Sequence, residues 1–250
     1  MTGVILAAGR GSRLNGTAGD KPKCLLRLGS ETLLERQIRA LRCVGVDDIV
    51  VVVGCQADRV RQSCGPTVRY VENARFAETN SLYSLWTARA LLSHGFVVLN
   101  CDVLFHPGLL GELLIAHHDA ALLIDYRSAD RPPYGDEEMK VKVREGLVLD
   151  MSKTLAPEDA DGENLGIVKF GPASAPALVA ILDRVVADGG LRDWAPRAFR
   201  EFAQSHPLHA IDAAGRPWIE IDFPEDYQRA LRHVLPAIDA DRGDRTKDVA

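Results

Sequence analysis

The chain has no Cys-x-x-Cys pair, no Gly-Lys-Ser or Gly-Lys-Thr tripeptide, no apolar run of membrane-spanning length and no excess of basic residues. Each absence removes a class of protein. Five cysteines is an odd count, and without paired spacing they suggest neither a zinc site nor a disulfide framework. Cys24, Cys43 and Cys101 sit in or beside apolar segments, so reduced, buried thiols in a cytoplasmic protein are expected. Residues 4–8 are too short for a signal-peptide core and have no basic residue ahead of them. With no stretch near the roughly 20 apolar residues that span a bilayer, no membrane partner is expected. A net charge of −5 argues against a broad nucleic-acid surface. The missing Gly-Lys-Ser/Thr excludes a P-loop, and Leu14 stands where a dinucleotide fingerprint needs its third glycine. The seven histidines show no metal-site or general-base spacing.

What is present is concentrated at the start. An apolar strand over residues 4–6 runs into Ala7-Ala8-Gly9-Arg10-Gly11-Ser12-Arg13-Leu14 and then, past a polar loop, Lys21-Pro22-Lys23. Glycines let the backbone approach an anion with its N–H groups, while Arg13 supplies a bidentate fork and Lys23 a mobile point charge. In an acidic chain, a polyanionic substrate has to be held by such local positive charge.

Continuous apolar runs at residues 4–6, 49–53, 96–101 and 120–126 read as strands buried on both faces, alternating with helices over 32–41 and 80–92. From residue 128 to 171 short alternating segments follow, with a hairpin turning at Glu145-Gly146. Residues 175–186 and 193–202 read as helices, and 217–221 as a last strand ending in Asp222. A single domain over residues 1–238 is expected, with 239–250 as a disordered tail, because that stretch is charged and has few apolar anchors.

Asp102 stands at the carboxyl end of a buried strand, where ligands gather in open α/β sheets; capping the next turn is the competing role. Glu220-Ile221-Asp222 offers a second acid in a similar place. If the two strands are neighbours, Asp102 and Asp222 can share one Mg²⁺ with nucleotide phosphates, and Glu220, two residues from Asp222, can face the same side.

The loop resembles the signature of nucleotidyltransferases that join a nucleoside triphosphate to a phosphorylated small molecule. Glu78-Thr79-Asn80-Ser81-Leu82-Tyr83-Ser84-Leu85, Met139-Lys140-Val141, Ser152-Lys153-Thr154 and Gly162-Glu163-Asn164 are similar to the cytidylyltransferase branch acting on phosphocholine, inositol phosphate or phosphonates. The resemblance implies an α/β fold, Rossmann-like (GT-A-like), with a mostly parallel central sheet, helices on both faces and a small antiparallel acceptor lobe. It implies transfer of CMP from CTP to a small phosphate or phosphonate with release of pyrophosphate and use of Mg²⁺. Arg13 and Lys23 would be catalytic, and Asp102, Asp222 and Glu220 would hold the metal. Leu6, Ala7, Ala8, Gly9, Gly11, Ser12, Asn80, Ser81 and Asn100 would bind nucleotide. Asn80 has helix capping as its other role. Tyr83, Lys140, Lys153 and Glu163 would meet the acceptor, against the reading of Lys140 and Lys153 as solvated hairpin charge. Tyr134, Trp194 and Trp218 could add cation–π walls. A sugar-1-phosphate nucleotidyltransferase using UTP or dTTP and a catalytically silent module on the same fold stay open, as does a homodimer.

Overall fold

Strand β1 (Thr2–Ala7) is buried along its whole length and divides the interior. In this computed structural model, which describes residues 1–14, 21–128 and 133–245, alternate side chains of β1 enter different clusters. Val4 and Leu6 join one cluster, Ile5 and Ala7 the other, as strand alternation requires when both faces are covered.

Two 3-10 turns, Ser12–Leu14 and Lys23–Leu25, lead to the short hairpin β2 (Arg27–Leu28) and β3 (Glu31–Thr32). Helix α1 (Leu33–Cys43) then opens with a capping box: Glu35 N donates to Thr32 Oγ1 at 3.2 Å and Thr32 N to Glu35 Oε2 at 2.6 Å. Next come β4 (Ile49–Val53), α2 (Ala57–Cys64), β5 (Arg69–Glu72) and α3 (Ser81–Thr87). The helix expected over 80–92 is therefore shorter, and a 3-10 turn over Arg89–Leu91 carries Leu92 into the core. After β6 (Phe96–Asn100) the chain forms β7 (Val103–Phe105), α4 (Pro107–Ile115) and β8 (Ala120–Tyr126).

The hairpin of β9 (Lys140–Arg144) and β10 (Leu147–Ser152) turns at Glu145 and Gly146, both at positive φ, and leads to β11 (Gly162–Phe170). Helices α5 (Ala175–Ala187) and α6 (Pro196–Ala203), strands β12 (His209–Asp212) and β13 (Trp218–Glu220), and helices α7 (Pro224–Arg229) and α8 (Leu235–Arg245) complete the described chain.

The main sheet has the order β5-β4-β1-β6-β11-β8-β12-β10-β9. Its first four strands are mutually parallel, and β11 enters antiparallel between β6 and β8, so the sheet is mixed beyond β6. β9 also pairs with β11, folding the antiparallel lobe back toward the sheet centre.

Two expectations change. Residues 239–245 are helical rather than a disordered tail. Ile238 is buried, Asp239 pairs with Arg36 at 3.7 Å and Asp241 with His106 Nε2 at 2.8 Å, so the charges have partners; the tail expected over 246–250 lies outside the described residues. All five cysteines are free thiols, but Cys43 is exposed and only Cys24 is fully buried, because Cys43 ends α1 away from that helix's apolar face. Among the described residues no helix is long and apolar enough to cross a membrane.

Candidate active site

Three chain segments meet beyond the carboxyl ends of β1 and β6. The loop after β1 bends at Gly11, whose φ of +61° is left-handed and where an added Cβ would lie 2.9 Å from the Lys23 Cβ. Glycine there lets the loop lie directly on the stem of Lys23. Pro22 precedes that lysine's 3-10 turn and the side chain is nearly buried.

The Lys23 ammonium donates to Asp102 Oδ2 at 3.1 Å and to Asp222 Oδ1. The strands that precede the two acids, β6 and β13, are not neighbours in a sheet. Asp102 follows β6, and Asp222 is delivered by the separate two-stranded pairing of β13 with β7, in which Glu220 stands opposite Val103 and Ile221 N donates to Asp102 O at 2.9 Å. Buried Gln37 on α1 fixes the turn between β6 and β7 by donating to Asn100 O at 2.9 Å and Val103 O at 2.8 Å.

Asp102, Glu220 and Asp222 offer oxygens that all lie within 4.8 Å of one another, and among the described residues they form the one such group. Asp102 Oδ1 is buried and has no hydrogen-bond partner. An orphaned carboxylate oxygen in an all-oxygen acidic set suits a hard divalent cation. Desolvation, and then the charges of Asp102 and Asp222, push the Glu220 carboxyl up to about 8. Arg13 Nη1 reaches Glu137 at 3.0 Å and Asp222 at 3.7 Å, and its guanidinium lies 5.4 Å from the Phe223 ring centroid. Lys153 pairs with the same Glu137 at 3.1 Å and stands 5.2 Å from the Trp194 ring centroid. A cleft of about 340 Å³ runs between these groups and the start of α3.

The frame from β1 to the start of α8 matches the MobA-like NTP transferase domain, over residues 3–235. The chain belongs to that family. This NTP transferase domain is 34% identical over 239 residues to a bifunctional IPC transferase and DIPP synthase of Rubrobacter xylanophilus, covering 93% of this chain and 51% of the relative, so it spans about half of that protein's length. It is 28% identical to the choline-phosphate cytidylyltransferase of Streptococcus pneumoniae, covering 94% of this chain and 98% of the relative. The solved inositol-1-phosphate CTP transferase from T. maritima superimposes with a TM-score of 0.78 at 21% identity, covering 95% of each chain. That likeness bears on the fold.

The NTP transferase domain brings most of the residues singled out in the sequence into one cleft. Leu6, Ala7, Ala8, Gly9, Gly11, Asn80, Ser81 and Asn100 line it, as do Arg13, Lys23, Lys153, Asp102, Glu220 and Asp222. Asn80 does so while also capping α3, its side chain accepting from Ser81 N at 2.8 Å. The Ser12 side chain lies outside the described residues.

Two of the residues assigned to the acceptor lie elsewhere. Tyr83 is outside the cleft, its ring 5.1 Å from that of Trp86, because α3 turns Ser81 and Ser84 inward and Tyr83 away. Lys140 is neither a solvated charge nor a cleft residue: it is buried and its ammonium donates to Gly135 O at 2.6 Å. Glu163 stands across from Lys140 in the pairing of β11 with β9, next to the cleft-lining Asn164, and its charge bears on Glu220. Of the three aromatics, Trp194 lines the cleft, whereas Trp218 is tied to Asp125 at 2.7 Å. Phe76 and Glu137 line the cleft without having been singled out. Glu137 sits in Asp136-Glu137-Glu138, which reads locally as solvated charge, so no local pattern could have found it.

Proposed function

We propose that this domain transfers CMP from CTP to a small phosphate or phosphonate acceptor and releases pyrophosphate, with Mg²⁺ held by Asp102 and Asp222 and supported by Glu220. The observation that carries the reading is Lys23 joined to both Asp102 and Asp222 beneath the glycine loop, with Asp102 Oδ1 left without a partner. The names of the full-length S. pneumoniae relative and of a phosphonate-directed relative, the CMP-5'-(3-aminopropyl)phosphonate synthase of Streptomyces rubellomurinus, support CTP and this acceptor class.

An acceptor phosphate oxygen is already ionised near neutral pH, so attack on the α-phosphorus needs positioning and charge neutralisation more than a general base. The glycine loop brings backbone N–H groups to the polyphosphate. Arg13 and Lys23 then bear on the charge that grows on the transferred phosphorus and on the departing pyrophosphate. Lys153, which shares Glu137 with Arg13, would meet a phosphate of the acceptor or of the nucleotide, and Trp194 beside it supplies a flat apolar wall. Asn80, Ser81 and Asn100, with the backbone of Ala7, Ala8 and Gly9, would hold the nucleoside. The metal, when bound, supplies Lewis-acid stabilisation of the phosphate oxygens.

The test is pyrophosphate release across CTP, UTP, dTTP, GTP and ATP, each offered with phosphocholine, 2-aminoethylphosphonate, inositol phosphate and glucose 1-phosphate. The highest kcat/KM is expected with CTP and a non-sugar acceptor. Fastest turnover with UTP or dTTP and the sugar phosphate would replace this reading, and no release with any pair would leave a silent module.

A further inference from the structure

Two cations that line the cleft share one anion that belongs to the protein. Glu137 Oε2 accepts from Arg13 Nη1 at 3.0 Å and from Lys153 Nζ at 3.1 Å. Arg13 comes from the loop after β1 and Lys153 from the end of β10, and both line the cleft with Glu137 between them. One oxygen held by a guanidinium and an ammonium is how a phosphate oxygen would be held. We propose that Glu137 is a resident counter-anion occupying a phosphate subsite between Arg13 and Lys153, and that it sets the ligand's charge class because an incoming anion must displace it.

The physical argument is an exchange of charges. A monoanion replacing the carboxylate restores the pairing it breaks and gains nothing, whereas a phosphate dianion or pyrophosphate brings more charge than it expels. Displacement is within reach because the side chains of Arg13 and Glu137 are about half exposed, and such pairs are individually weak. The donors from Lys153 and Arg13 also hold the Glu137 carboxyl below the ordinary value, so it is an anion at neutral pH. When it leaves, Arg13 still has Asp222 at 3.7 Å and Lys153 still lies against Trp194, so neither cation loses all its contacts.

This rests on the polyphosphate-transfer reading above, and the experiment separates the two. Binding of inorganic pyrophosphate to the full chain is measured by calorimetry for the wild type, Glu137→Gln and Asp136→Asn, the last removing the same charge one residue away. Glu137→Gln is expected to bind pyrophosphate about three- to tenfold tighter, with a steeper salt dependence, and to lower KM for the nucleoside triphosphate more than it changes kcat. Asp136→Asn is expected to change binding by less than about twofold, the scale of a screened surface charge. Equal or weaker pyrophosphate binding by Glu137→Gln, or the same gain from Asp136→Asn, would overturn the counter-anion role while leaving the transfer reaction standing. No pyrophosphate binding by any of the three proteins would overturn both. A gain in Glu137→Gln binding without transfer from any triphosphate would support the subsite and sink the reaction.

Discussion

Burial by itself would lower the pKa of the Lys23 ammonium, yet Asp102 and Asp222 reverse the sign and hold it above the ordinary lysine value. The lysine therefore carries a permanent positive charge at the centre of three acids, and each acid depends on the others. Asp102→Ala and Asp222→Ala are each expected to lower kcat by about a hundredfold or more at saturating Mg²⁺, since each removes a proposed metal ligand and a partner of Lys23. Steady-state rates with folding checked by circular dichroism test this, and near-normal turnover in either variant would end the metal assignment. Glu220 predicts a pH dependence of opposite sense to an ordinary carboxylate. Between the usual carboxyl value of 4.5 and about 8, the folded metal-free protein keeps a proton that the unfolded chain has lost. Its contribution to stability is therefore full below that window and declines as pH rises through it. Binding Mg²⁺ should release this proton, so apparent Mg²⁺ affinity should rise from pH 6.5 to 8.5 in the wild type and stay nearly flat in Glu220→Gln. Calorimetry in buffers of different ionisation enthalpy reads the proton count directly.

The bulge in β11 shows what an element contributes that its residues do not advertise. Gly166 sits where the register of β11 shifts between Asn164 and Val168, at a φ of +73°, and an added Cβ would lie 2.7 Å from Asn100 Nδ2. Gly45 has a similar φ of +79° after α1 but open space where its Cβ would go. Gly45→Ala should thus cost only backbone strain, on the order of 1 kcal/mol, with KM for the nucleotide unchanged. Gly166→Ala should cost at least as much in stability and also raise that KM, because Asn100 is pushed into the cleft. Urea unfolding and steady-state kinetics on the pair separate strain from collision, and equal KM effects would show that Asn100 is not touched. Local pattern was sufficient for α1, whose capping box and face of Leu34, Ile38 and Leu41 stand in the sequence, and for the hairpin turn at Glu145 and Gly146. It was insufficient for α3, where apolar spacing runs on to Leu92 although the helix stops at Thr87.

Across the whole molecule, the end of the chain supports the site from behind. Ile238 on α8 is buried with Leu33, Leu104 and Ile221, the last being the neighbour of Asp222. Ile238→Ala should cost roughly 2–4 kcal/mol and lower Tm by several degrees, and should weaken turnover by loosening the segment that carries Glu220 and Asp222. Differential scanning calorimetry tests it, and an unchanged Tm would mean that α8 does not stay docked.

The sequence by itself determined the glycine-rich loop after β1, the buried strands of the parallel half and the acids at strand ends, because turn chemistry, apolar periodicity and strand termini are written within a few residues. Only the tertiary structure decided which charges share the cleft. The pairing of β7 with β13 brings Asp222 across 120 positions to Asp102, the register of β9 against β11 carries Lys140 into the interior, and the return of the chain over residues 135–138 places Glu137 between Arg13 and Lys153. These placements follow from packing between segments far apart in the chain, and no local pattern encodes the distance between them.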